Sequence, residues 1–277
     1  MKAAPSFAWI VGLALTAALT LAILVSFAWT PYDPTALDIG HALSPPSAAH
    51  WLGTDQLGRD LASVLLAGAR NSVAVALTAV AIGLGLGAPF GLASAAAGGW
   101  IDDAIMRIND IAFAFPALLL AVLLSAVLGP GWFNAALAIG VFNVPVFARL
   151  TRGEALALWG RDFILAARAA GKNRLQISIE HVAPNLAHQV LVQAAIQFSL
   201  GVLAEAGLSY VGLGVQPPAP SWGRTLSESQ TYAFLAPWLA IAPGAAILFT
   251  VLGLNLLGDG LRQRFDRRET TDAIADV

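Results

Sequence analysis

"GRDFILAARAAGKNRLQISIEHVAPN", residues 160–185, sets Arg161, Asp162, Arg168, Lys172, Arg174, Glu180 and His181 among alanines and a glycine. The surrounding chain is oil: of its 277 residues 57% are hydrophobic and only 12% charged, against roughly 25% charged in a soluble domain. A charged island in such a chain belongs where water is. From Asp162 to about Asn173 the pattern is helical, with Ala166, Ala167, Ala169 and Ala170 among good helix formers. Gly171 is placed to stop that helix as a C-cap, with Lys172 and Arg174 near its negative end. A second run, Leu175 to Val182, ends at Pro184, which suits the first turn of a new helix entering the membrane. The stretch reads as a short helix lying across one face of a bilayer, thin enough on its alanine side to dock in another protein's groove. A solvated basic loop that only sets topology would explain the cations, but not the alanines, the glycine or the proline.

Outward from this island, six segments are apolar over the roughly 20 residues that a bilayer-spanning helix needs. They are residues 7–29, 72–97, 111–129, 132–148, 188–211 and 238–258. Pro145 leaves the end of the fourth open, and Pro89, Pro116, Pro145 and Pro243 predict kinks or helix ends. Lys2, Arg107, Arg149, Arg152, Arg161, Arg168, Lys172, Arg174, Arg262, Arg264, Arg267 and Arg268 fall on one set of alternate loops and termini. Arg59, Arg70 and Arg224 fall on the other. The positive-inside rule then puts both termini and segment 160–185 in the cytoplasm. The first apolar run is longer than the core of a signal peptide, so it is expected to stay as a span. Gly83, Gly87 and Gly91 repeat at spacing four in the second, leaving a bare face for another helix of this chain or of a partner subunit.

Within this frame the residues carry a resemblance. "AARAAG" followed by "HVAPN" resembles the EAA loop of ABC importer membrane subunits, with Leu165, Ala166 and Ala167 at the Glu-Ala-Ala positions, Gly171 at the glycine and Pro184 at the proline. His181 and Ala183 stand at the positions of its Ile and Leu. Leu165 and His181 are normal for the peptide and nickel branch, whereas Ala183 departs from its leucine. "LGTDQLGRD" at 52–60, "GGWIDDAIMRINDIAFAFP" at 98–116, "AEAGLSYVGLGVQPPAPSWG" at 204–223 and "NLLGDGLRQRFDRR" at 255–268 also resemble the second permease of dipeptide, oligopeptide and nickel importers.

The resemblance implies an all-α polytopic membrane protein with six transmembrane helices and the type I ABC importer permease fold. Residues 1–71 would hold the first span and an external loop, 72–262 the transport domain with its coupling loop at 150–187, and 263–277 a cytoplasmic tail. Ala166, Ala167, Arg168, Ala170, Gly171 and Pro184 would couple to an ATPase. The implied partners are a sister permease in a heterodimer, two cytoplasmic ABC ATPases that use ATP and Mg, a periplasmic or lipid-anchored substrate-binding protein, and membrane lipid. The chain would sit in a bacterial inner membrane, needing no cofactor or metal of its own. Its cargo would be peptides or related polar solutes, with nickel or metal chelates as the alternative.

Four features are weighed on their own chemistry. Glu205 is an acid inside a span, where charge is costly and function is the default reading. Its place near the external mouth suits a gate or structural anchor better than direct ligand contact. Asn143 and Gln197, with Gln193, are neutral candidates for the pathway. Asp55, Arg59 and Asp60 in the external loop either pair to fold it or meet a binding protein. Asp103 and Arg107, at i and i+4, are spaced for a helix-surface ion pair.

Other function classes fit poorly. There is no GxxxxGK[ST] loop to hydrolyse ATP and no GxSxG for a serine hydrolase. Ser209 lies at the opposite membrane face from His181 and His188, so an intramembrane protease triad cannot form. A proton-coupled carrier would need several ionisable groups at mid-depth. A net charge of −2 gives no basic face for nucleic acid, and the absence of cysteine excludes disulfides and thiolate metal sites.

Overall fold

A computed structural model describes residues 7–275, apart from the side chains of Ala117 and of residues beyond Arg264. Lys2 and the side chains of Arg267 and Arg268, three cations of the orientation argument, therefore lie outside it, as do the side chains of most of the expected tail. The described chain is helical: α1 (Phe7–Ala28), α2 (Leu61–Ala97), α3 (Gly99–Ala114), α4 (Ala117–Leu128), α5 (Trp132–Trp159), α6 (Asp162–Ala169), α7 (Arg174–Ile177), α8 (Ala183–Tyr210), α9 (Trp222–Ser229) and α10 (Trp238–Ala275). Five helical stretches are long and apolar enough to cross a membrane, and α3 with α4 supplies a sixth if the bent pair counts as one span. Residues 160–182 gather at one end of the bundle, the near end; residues 29–60 and 211–237 gather at the other, the far end.

The helices depart from the apolar runs where charge is satisfied locally. The apolar run places the start of the second span at residue 72, but α2 begins at Leu61, because Asp60 caps it by accepting from the Ser63 amide at 2.9 Å. Arg70, which interrupts the apolar run, lies 5.1 Å over the Phe27 ring. The third segment, 111–129, is not one helix. Its chain breaks at Phe115 and Pro116, where α3 and α4 meet at 83°. With 12 residues α4 is only about 18 Å long, too short to span alone. The fourth segment, 132–148, runs on as helix through Pro145 to Trp159. Its two extra cations are neutralised by α3: Arg149 reaches Asp110 at 2.7 Å, and Arg152 grips Asp102 with two bonds of 2.6 Å. The expected pair of Asp103 with Arg107 is not among the ion pairs of the described residues.

The α2–α5 contact is the spine of the bundle. A Cβ added at Gly83 would stand 2.4 Å from the Cβ of Asn143, one at Gly87 2.3 Å from the Val144 carbonyl oxygen, and one at Gly91 2.4 Å from the Ala148 carbonyl oxygen. The bare face is therefore filled within the chain, so close helix packing and not a subunit interface accounts for its spacing. On the other side of the spine Ala76 of α2 meets Gly201 of α8. The first helix packs on the last, with Gly12 against the Leu256–Leu257 backbone.

Candidate functional site

At the near end Gly171 takes φ +83 with open space around it. Its N–H donates to the Arg168 carbonyl at 2.9 Å and that of Lys172 to the Ala167 carbonyl at 3.2 Å, the paired bonds of a Schellman cap. The expected stop is thus formed. The two cations after it go elsewhere, because the cap reverses the chain. Lys172 Nζ meets Glu180 at 2.6 Å and His181 Nε2 at 2.9 Å, and Arg174 donates to the last carbonyls of α2, Ala96 and Ala97, at 2.8 Å each. Those carbonyls form a helix C-terminus, where a guanidinium is favoured for the same reason that a cation is expected at the end of α6.

Only one side of α6 faces the bundle. Ile164 and Ala167 pack with Ala95 of α2, Ala155 and Trp159 of α5, and Val182 and Leu186 beyond. Ala166, Arg168, Ala170 and Gly171 are exposed, whereas Ala167 is buried. Arg168 lies 5.0 Å over the Trp159 ring. Beside the exposed alanines stand Phe163, Leu165, Leu175 and Ile179, between 42% and 69% exposed. Together they make an apolar face bordered by cations. Pro184 lies in the first turn of α8. Ahead of it the chain widens into one π turn, Ser178–Val182, in which the Ala183 N–H donates to the Ser178 carbonyl five residues back. The wider turn makes room for the proline ring, which clashes in a regular helix interior. Asn185 covers the His181 carbonyl at 2.6 Å.

Behind this surface Asp102 ties three helices. It receives Ser94 of α2 and both Arg152 bonds from α5. Asp102→Ala leaves Arg152 in place without its carboxylate. Removing one partner of a buried pair costs about 3 to 5 kcal/mol, and partial exposure of Arg152 brings the expected loss to about 2 kcal/mol. A thermal midpoint of the purified protein equal to that of the parent would refute it.

Asn143 and Gln197 do not stand open. Each is buried, and Gln197 Nε2 donates to Asn143 Oδ1 at 2.9 Å, joining α8 to α5.

At the far end Asp55 accepts from the Leu57 and Arg59 amides at 2.8 and 2.9 Å and from Arg59 Nε at 2.6 Å. Asp60 caps α2 and meets His50 Nδ1 at 3.0 Å. These residues fold the loop upon itself, and Arg59 carries it across to Glu228 of α9 at 3.2 Å. Residues 29–60 also enclose a cavity of about 540 Å³ lined in part by Tyr32, Asp38, His41 and His50. His41 hydrogen-bonds Asp38 there and holds its carboxyl below the usual carboxylate range. Residues 211–221 and α9 lie as a plug over α2 and α8. Trp222 is buried and donates its indole N–H to the Leu65 carbonyl at 3.0 Å, Asn71 donates to the Pro220 carbonyl at 2.7 Å, and a Cβ at Gly223 would stand 2.1 Å from the Ala206 carbonyl oxygen. Glu205 is fully buried beneath this plug, its Oε1 accepting from Ser209 Oγ at 2.6 Å.

Sequence reasoning missed Asp102, the target of Arg174, and the far-end partners Ser72, Ser221 and Glu228. Only Ser221 carried a signal, as a serine just ahead of a helix start; the other contacts join residues 50 to 169 positions apart.

With this geometry in view, residues 83–271 match the family described as binding-protein-dependent transport system inner membrane component. A dipeptide transport system permease protein of Alkalihalophilus pseudofirmus is 40% identical over 93% of this chain and 84% of its own. A glutathione transport system permease protein of Pectobacterium atrosepticum is 40% identical over 91% and 86%. A probable D,D-dipeptide transport system permease protein of Escherichia coli is 39% identical over 90% and 84%. Among solved structures, a chain of the inward-facing MetNI methionine ABC transporter superposes with a TM-score of 0.59 at 21% identity, covering 72% of this chain and 95% of that one. The likeness assigns the type I importer fold.

Proposed function

The chain belongs to the family of binding-protein-dependent transport system inner membrane components, and from that premise we propose how it works. It is a membrane-spanning permease subunit of a binding-protein-dependent ABC importer, multi-pass in the inner membrane. We assign the near end to the cytoplasm, with both termini there, and the far end to the exterior. Here α6 and α7 receive an ATPase, and the carrying observation is the seat of α6: its outer side presents Phe163, Leu165 and Ala166 to a partner, while Ile164 and Ala167 are wedged among α2, α5 and α8. A push on the outer side passes directly into three spans. ATP and Mg would be used only in the ATPase subunits, whose closure moves the docked helix and rocks the spans between two states. A homologous sister permease would supply the other half of the pathway, and a binding protein would deliver cargo to residues 29–60 and the plug. The relatives' names make dipeptides or glutathione-like peptides the first candidates, ahead of nickel.

The test is uptake into vesicles holding the chain with cognate ABC ATPases and a sister permease. Labelled dipeptide and glutathione are offered outside with the cognate binding protein. Uptake is expected only with ATP inside. Uptake that persists without ATP and follows a proton gradient would replace this reading with that of a secondary carrier.

A further inference from the structure

Glu205 sits where three hydroxyls converge, and each hydroxyl is already an acceptor. Ser209 Oγ of α8 accepts from the Val215 amide at 3.2 Å, Ser72 Oγ of α2 from the Trp222 amide at 3.3 Å, and Ser221 Oγ from the Arg224 amide at 3.3 Å. A serine whose oxygen accepts still has its proton to donate. Ser209 gives it to Glu205 Oε1, and Ser72 and Ser221 face the same carboxyl. Its second oxygen, Oε2, is buried and has no hydrogen-bond partner among the described residues. The three amides at the head of these relays all belong to the plug, at its loop and at the start of α9. The carboxyl belongs to α8, five residues before that helix ends at Tyr210. One side chain thus gathers these three serines, beside the separate bonds of Trp222 to Leu65 and of Asn71 to Pro220.

We propose that Glu205 is a positioning residue that latches the plug, residues 211–229, onto α2 and α8, and that transport requires this latch to release and re-form. The inference rests on the importer reading and adds to it the element that shuts the far mouth. The design follows from burial. A hydrogen bond in a site without water is electrostatically stronger than the same bond in water, so the plug holds while the site is dry. The idle Oε2 leaves the carboxyl ready for the first water that enters, and hydration would then compete with the Ser209 bond and separate Ser72 and Ser221 from the carboxyl. Apolar packing of Trp222 alone would hold the plug without making its release depend on one group.

The chain contains no cysteine, so a single reporter can be added without removing native thiols. Ser229→Cys places it on the buried side of α9, where Ser229 is 2% exposed. In the assembled transporter, a membrane-impermeant maleimide should label the introduced thiol slowly at rest and faster during ATP-driven cycling. Adding Glu205→Ala should raise the resting rate about tenfold, the equivalent of losing about 1.4 kcal/mol of closure, and abolish the dependence on ATP. Glu205→Gln, which keeps size and one acceptor, should fall between. Ser72→Ala, a milder change that keeps the carboxyl, should raise the resting rate in the same direction. Resting labelling that stays at the parent rate in both Glu205→Ala and Ser72→Ala overturns the latch, while ATP-driven uptake by the parent leaves the importer reading standing. Absence of ATP-driven uptake by the parent overturns the importer reading instead, whatever the labelling shows.

Discussion

Gly87→Leu removes the folded protein from the membrane. The added Cβ alone would stand 2.3 Å from the Val144 carbonyl oxygen, 2.8 Å from the Phe147 Cβ and 3.0 Å from the Ala148 nitrogen. The first obstacle is backbone, so no rotamer change relieves it; α2 and α5 must separate along the Gly83–Gly87–Gly91 face. Overpacking a core costs about 1 to 3 kcal/mol where side chains can yield, and here the loss should exceed that range. A fluorescent fusion of the variant is expected to give no monodisperse peak in detergent. Gly85, two residues away on the same helix, has nothing within 4 Å of an added Cβ. Gly85→Ala should therefore match the parent or gain up to about 1 kcal/mol. Equal accumulation of Gly87→Leu and Gly85→Ala would remove the close helix contact from the account of the fold.

Gly171→Val should abolish uptake while the protein still inserts and purifies. At φ +83 a β-branched residue is strained by about 1 to 2 kcal/mol, too little to unfold a bundle of this size. The strain is relieved locally by opening the cap, which frees the Arg168 and Ala167 carbonyls and swings Lys172 and Arg174 away from Glu180 and α2. The outer face of α6 would then lose its fixed angle to the spans. Gly171→Asn is the control, since asparagine tolerates the left-handed conformation, and it should retain most uptake. If Gly171→Val transports normally and still co-purifies with its ATPase, the coupling role of this turn is wrong.

These two glycines are legible in the sequence for different reasons. Gly171 is readable from its neighbours, because a helical alanine run followed by glycine and cations specifies a cap locally. The spacing of Gly83, Gly87 and Gly91 shows that something comes close, but not what, since Asn143 lies 60 positions from Gly83 and Val144 57 from Gly87. The six apolar segments are visible because the bilayer imposes a length. Their ends are less so: Arg70, Arg149 and Arg152 read as loop residues until Phe27, Asp110 and Asp102 are seen to hold them. The broken third segment escapes notice because Pro116 predicts a kink without its angle. Polarity alone marks Asn143 and Gln197 as pathway residues, yet in this chain they satisfy one another between α5 and α8. Glu205 is singled out by the cost of its charge, while its three serines, dispersed over α2, α8 and the plug, have no pattern to join them.

The pairing of α1 with α10 has a consequence for synthesis. The N-terminal helix meets α2 early, through Phe27 and Arg70, but the partner that closes on Gly12 is the final span, whose first residue follows the last of α1 by 210 positions. At about 5 to 20 residues per second, α1 waits roughly ten to forty seconds in the bilayer with Gly12 facing lipid. It endures that interval because its backbone is already hydrogen-bonded within the helix and it carries no charge between Phe7 and Ala28. Closure of this seam is therefore among the last events of assembly, and a ribosome stalled inside α10 would leave a bundle complete at its spine but open along one flank.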